Sequence, residues 1–165
     1  MSETRAKQMG AERTLIAYVT KGGVTEEATS IIANVLRDKY KLEVDIINLK
    51  KNPSPDLTQY KNIIIGSGVR MQKWYKQALK FLENDFGDKK VAIFLSSCEA
   101  GDPKSYDQAI TKHVKNVLTK YPHIKPIAAE AFGGRIKFLG ITATDNRDMG
   151  KVRVWAEEVG KMLIS

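Results

Sequence analysis

A single cysteine, Cys98, stands among 165 residues. One thiol cannot close an internal disulfide, and it excludes CxxC redox pairs and zinc ribbons. No apolar run approaches the roughly 20 residues of a membrane span. The opening MSETRAKQMGAE has no apolar stretch of the kind a signal peptide carries. It reads as a flexible polar tail over residues 1–12, preceding one domain over 13–165 of a cytoplasmic protein. There is no block of five or more like charges and no RNA-binding aromatic signature, so nucleic acid is not an expected partner. Internal repeats and low-complexity segments are absent too.

What is present is a basic chain of ordinary polarity. Twenty-seven Lys and Arg oppose nineteen Asp and Glu, for a net charge of +8. Such a balance suits an acidic partner or a membrane surface, and equally well lysines scattered over solvated faces. Short β-branched runs alternate with longer amphipathic stretches. Strands are expected at 13–19, 42–49 (LEVDIINL), 62–66 (NIIIG), 91–95 (VAIFL) and 124–131, the last weakened by Pro126. Helical spacing covers 25–41, 73–85, 105–121 and 148–163, and 133–146 reads as a Gly- and Thr-rich loop. Unbroken apolar strands alternating with helices predict a parallel sheet with helices on both faces. In such sheets ligands bind beyond the carboxyl ends of the strands.

Three loops therefore carry the chemistry. In the first, Thr20-Lys21-Gly22-Gly23-Val24-Thr25, paired glycines allow a tight turn before a helix whose natural N-cap is Thr25. Bare helix amides flanked by two hydroxyls suit a phosphate, although a glycine turn can equally serve only to join strand to helix. The loop is neither GxGxxG nor a Walker A sequence. In the second, Ser67–Tyr75, Trp74 or Tyr75 could stack on a planar heterocycle, and Trp74 could as well be an inward-facing helix residue. Arg70 or Lys73 near such a ligand would favour its electron-rich or anionic states, and each could equally be a solvated charge. The third, Ser96–Asp102, offers Ser96, Ser97 and the backbone from Cys98 to Gly101 to a polar ring edge, while Asp102 and Pro103 could start the next helix. Cys98 is not expected to act as a nucleophile, because His113 and His123 lie away from this edge.

These loops resemble the flavodoxin superfamily over nearly all of 13–165, and more narrowly the branch that includes menaquinone-dependent protoporphyrinogen oxidases. The match rests on the T-x-x-G-x-T phosphate loop at 20–25, on Gly66-Ser67-Gly68-Val69-Arg70 against that branch's G-A-S-I-R, and on element order. The resemblance implies an α/β, flavodoxin-like three-layer α/β/α sandwich with a five-stranded parallel sheet of order 2-1-3-4-5, holding FMN. It would give Thr20, Lys21, Gly22, Gly23, Val24 and Thr25 to the phosphate. Ser67, Gly68, Val69, Arg70, Met71, Lys73 and Trp74 would face the isoalloxazine, and Ser97, Cys98, Glu99, Ala100, Gly101 and Asp102 its pyrimidine edge. A backbone carbonyl at or beside Gly68 would turn toward the flavin N5, so no catalytic side chain is implied.

The implied function is electron carriage through bound flavin, to a redox partner protein or a small acceptor such as a quinone, by a monomer or homodimer. Electron-carrier flavodoxins are acidic, so at +8 the partner surface should differ and an acidic partner is the better match. A protoporphyrinogen oxidase-type or quinone-linked oxidoreductase is the alternative. That branch carries histidines after its Arg, where this chain has Met71-Gln72-Lys73-Trp74-Tyr75-Lys76. A receiver-type signalling domain shares the strand order, but needs acids where Thr20 and Ser67 stand.

Overall fold

The computed structural model describes residues 13–165, and the polar tail expected over 1–12 lies outside the described residues. Strands β1 (Arg13–Val19), β2 (Val44–Asn48), β3 (Tyr60–Arg70), β5 (Lys90–Ser96) and β6 (Ala128–Phe132) form a parallel sheet in the order β2-β1-β3-β5-β6. The two-residue β4 (Lys73–Trp74) pairs antiparallel with the end of β3. With β4 set aside, the principal strands run 2-1-3-4-5, as the resemblance implied. The helices are α1 (Val24–Tyr40), α2 (Lys76–Phe81), the short α3 (Cys98–Gly101), α4 (Tyr106–Ile110) and α5 (Met149–Ile164). Beyond α4 the chain keeps turning through a π-helical segment, Thr111–Lys115, into Asn116–Leu118. No helix among the described residues is long and apolar enough to cross a membrane.

Successive residues of a strand point to opposite faces, so each central strand feeds two cores. Leu15, Ala17, Ile63, Ile65, Ile93 and Leu95 pack with Ala78 and Phe81 of α2 and Ala109 of α4. Ile16, Ile64, Ala92 and Phe94 pack with Ile32 and Leu36 of α1 and with Val152, Trp155 and Val159 of α5. Val19 and Leu95 both align with Ser67. The loops after β1, β3 and β5 therefore leave the sheet at the same level.

The structure corrects four local expectations. β3 runs past Gly66 to Arg70, then reverses through Met71 (φ 51°) and Gln72 (φ 66°) into β4. The expected helix from Lys73 consequently starts at Lys76. The fifth strand begins after Pro126, at Ala128, on the sheet edge where a proline is tolerated. The segment expected as a loop, 133–146, contains a hairpin of β7 (Arg135–Phe138) and β8 (Ile141–Asp145) that pairs only with itself.

Candidate functional site

Gly23 starts α1 in the left-handed region, with φ 86°, a conformation that side-chain-bearing residues rarely adopt. Its N–H donates to Thr20 Oγ1 at 3.0 Å, folding the loop back on itself. No side chain caps α1. The first-turn amides of Val24, Thr25 and Glu26 therefore lack acceptors within the helix. Thr25 is the second residue of the helix, not its N-cap. It is 1% exposed, and its Oγ1 lies buried on a cavity wall with no hydrogen-bond partner. Leaving a buried hydroxyl unpaired costs roughly 1–3 kcal/mol. Bare amides, the positive helix end and a spare hydroxyl together make an anion cradle.

The acids beside the cradle are engaged elsewhere. Tyr18 Oη donates to Glu26 Oε1 at 3.2 Å, and Arg147 holds Glu27 at 2.8 Å. Lys50 Nζ donates to the Thr20 carbonyl at 2.6 Å and lies 5.3 Å from the centre of the Tyr75 ring.

The cavity, of about 260 Å³, is enclosed by all three expected loops. From the first come Thr20, Lys21, Gly22, Val24 and Thr25, with Gly23 setting the backbone behind them. The second contributes Gly68, Val69, Met71, Gln72 and the half-buried Tyr75. A Cβ at Gly68 would stand 3.0 Å from the Tyr75 ring and 3.5 Å from Thr25 Oγ1. Glycine thus keeps open the gap between ring and hydroxyl. Burial pushes the Tyr75 phenol above its ordinary pKa.

Trp74 does not reach the cavity. It is buried in the α2/α4 core, where its Nε1 donates to the His113 carbonyl at 2.7 Å. Tyr75 is the aromatic that faces the space. Ser67 is buried and donates to the Gly68 carbonyl at 2.7 Å, while Arg70 and Lys73 are exposed on the turn, outside the lining.

From the third loop, Ser96, Ser97, Cys98 and Glu99 line the cavity. Ser96 Oγ is a second buried hydroxyl without a partner. Burial raises the Cys98 thiol, which keeps it protonated near neutrality. Burial also raises Glu99, but hydrogen bonds from His113 and Lys112 outweigh it and hold the carboxyl below its ordinary range. Ala100 is buried, Gly101 packs against Asn146, and Asp102 turns to accept from the Lys104 amide at 3.0 Å. These last three lie outside the lining.

A fourth wall, Gly134, Arg135 and Ile136 at the foot of the hairpin, was not expected. Arg135 Nη2 donates to the Gly22 carbonyl at 3.2 Å. Asn146 Nδ2 donates to the Cys98 carbonyl at 2.7 Å, while its Oδ1 accepts from the Gly134 amide at 3.0 Å. Arg147 bridges Asp145 and Glu27, and its hydrogen bonds hold the Asp145 carboxyl down at about 2. The hairpin foot thus joins the first loop to the third. A signal was available in the two short alternating runs, RIKF and ITATD, separated by Gly140, although Leu139 does not mark the turn. Asn146→Ala should strand two backbone groups, each worth about 1–2 kcal/mol. The expected result is at least tenfold faster hydrogen exchange at the Gly134 amide, with the exchange of β1 and β3 unchanged.

The family model described as a flavodoxin domain matches residues 15–159. The chain belongs to the flavodoxin family. Among solved structures, oxidised flavodoxin 2 from Bacillus cereus is similar at 23% identity and TM-score 0.63, covering 91% of this chain and 99% of that one. Flavodoxin 1 from the same organism gives 22% and 0.61, covering 90% and 97%. A Fusobacterium nucleatum flavodoxin variant bound to flavin mononucleotide gives 16% and 0.55, covering 91% and 96%. At these identities the structural likenesses speak for the flavodoxin fold alone. No curated protein sequence matches significantly.

Proposed function

We propose that this flavodoxin-family protein binds FMN in the cavity and carries electrons through it. The observation that carries the reading is Thr25 Oγ1, a buried hydroxyl without a partner beside uncapped helix amides. A buried hydroxyl without a protein partner, set beside uncapped helix amides, is what a phosphate oxygen would complete. Family membership and the flavin mononucleotide held by the Fusobacterium nucleatum neighbour support the same group.

Bound FMN would supply reversible one- and two-electron chemistry. This chain's residues would hold and tune it. Thr20, Thr25 and the first-turn amides of Val24 and Thr25 would bind the phosphate, with Gly23 shaping the loop through its bond to Thr20. Tyr75 and Val69 would present flat and apolar walls to the ring system, and Gly68 the room for it. Ser97 and the backbone at Cys98 and Glu99 would meet the polar ring edge, with the Glu99 carboxylate held in place by His113 and Lys112 at 3.2 Å each. The positive charge of Lys21, Lys50 and Arg135 around the mouth would favour electron-rich states of the bound group. A redox protein or a small acceptor such as a quinone would take or give the electrons.

Thr25→Val tests the reading because it is isosteric and removes only the hydroxyl. Without FMN, stability should hold or rise, since an unsatisfied buried group is gone. FMN affinity, read by quenching of flavin fluorescence, should fall about tenfold or more for one lost bond to a charged group. A Thr25→Val protein that binds FMN as tightly as the parent would remove the phosphate assignment.

A further inference from the structure

Two hairpins border the cavity, one by its turn (Met71, Gln72) and the other by its foot (Arg135, Ile136), and the turns of both break the same local rule. In each, a two-residue turn has φ > 0 at both positions, a geometry that strongly prefers Asn, Asp or Gly. Yet the first position holds Met71 (φ 51°) in one and Leu139 (φ 51°) in the other. Each of these side chains is 86% exposed. Phe138 and Ile141, which pair across the second turn, are 70% and 73% exposed. Large apolar groups have thus been placed in strained turns, facing water, where a small polar residue would be more stable.

Charge surrounds both tips. Arg70 and Lys73 bracket Met71, Lys137 precedes Phe138, and the exposed Lys21 lines the cavity that both hairpins border. None of these four forms an ion pair among the described residues. The nearby acids are already neutralised, Asp145 and Glu27 by Arg147 and Glu99 by Lys112. Every residue of 136–145 is exposed, and a free two-stranded hairpin is marginally stable in water.

We infer that the two tips dock this protein on an anionic lipid surface, with Phe138, Leu139, Ile141 and Met71 entering the interface and the flanking lysines and arginine meeting the headgroups. A second copy of the chain is disfavoured, because a symmetric contact would set the same basic groups against each other. A protein partner would need two sockets at the spacing of the tips, whereas lipid accepts convex apolar tips at any spacing. Basic side chains near an anionic leaflet add attraction for each charge and can extend their heads to the phosphates. The inference rests on the rim alone and does not require a flavin in the cavity.

The test is co-sedimentation of the full chain with vesicles of equal parts phosphatidylserine and phosphatidylcholine, or of phosphatidylcholine alone. The protein should pellet with the anionic vesicles at low salt and be released as salt screens the charges. Partitioning to neutral vesicles should be at least about tenfold weaker. Phe138→Ser combined with Leu139→Ser should reduce binding to anionic vesicles by about tenfold or more, and Lys137→Glu by several-fold. These side chains are exposed, so circular dichroism should match the parent; if the pair disturbs it, Ile141→Ser gives the same readout alone. Absence of pelleting, equal binding to both vesicle types, or binding indifferent to the tip variants would each overturn the inference. So would tip-dependent binding to an acidic protein in place of vesicles.

Discussion

Gly23→Val is expected to abolish retention of FMN while leaving the sheet and helices in place. Gly23 has φ 86°, and an L residue there costs on the order of 1–2 kcal/mol, more when β-branched. Nothing lies within 4 Å of where its Cβ would be, so crowding is not the obstacle. The chain would relieve the strain by rotating out of the left-handed region. That rotation breaks the bond from the Gly23 amide to Thr20 Oγ1 and swings the following amides out of alignment. Losing two amide bonds to a phosphate, at about 1.5–3 kcal/mol each, weakens binding by roughly a hundredfold to ten-thousandfold. Gly23→Asn, which tolerates φ > 0, should keep most of the affinity. Fluorescence titration with FMN and far-UV circular dichroism separate the two effects, and an unchanged affinity for Gly23→Val would show that the loop does not hold the phosphate.

Gly66→Ala should give a large loss of stability. Gly66 lies opposite Phe94 on the neighbouring strand, and a Cβ there would overlap the Phe94 ring. Phe94 is fully buried, with Trp155 at 6.0 Å and Phe132 at 6.3 Å between ring centres. Neither neighbour leaves the ring an escape. Overpacking of this kind costs about 1–3 kcal/mol and more where the surroundings are rigid; about 3 kcal/mol would lower Tm by roughly 10 °C in a domain of this size. Urea unfolding should show the drop, and Phe94→Leu in the same chain should recover part of it. Full stability of Gly66→Ala alone would mean that the ring has room the packing does not suggest.

The strands were legible because Ile63-Ile64-Ile65 and Val91–Leu95 suit burial between two helical layers, whereas their order followed from the family resemblance. The loops followed from the strand ends, and eleven of their expected residues do line one cavity. Trp74 was less legible because its position depends on Met71 and Gln72 taking left-handed conformations, which neither residue type announces. Without that turn the chain would continue helically from Lys73; with it, Trp74 falls opposite Val69 and into the core. Lys50 was missed because it reaches the site from beyond β2, a contact that spans thirty positions. Ser96 was legible as a ring-edge donor, but its unpaired state depends on packing that spacing does not report.

The feet of the second hairpin meet: the Asn146 amide donates to the Gly134 carbonyl at 3.0 Å. The segment from 137 to 144 forms a removable cassette, since its two ends are already stitched together, its strands add nothing to the main sheet, and the cavity wall at Arg135 and Ile136 lies outside it. A shorter bridge could span the same stitch, or a longer one with a different tip, without disturbing a single residue of either hydrophobic layer. In this architecture, the part we infer to meet a lipid surface can be exchanged separately from the part that holds the molecule together.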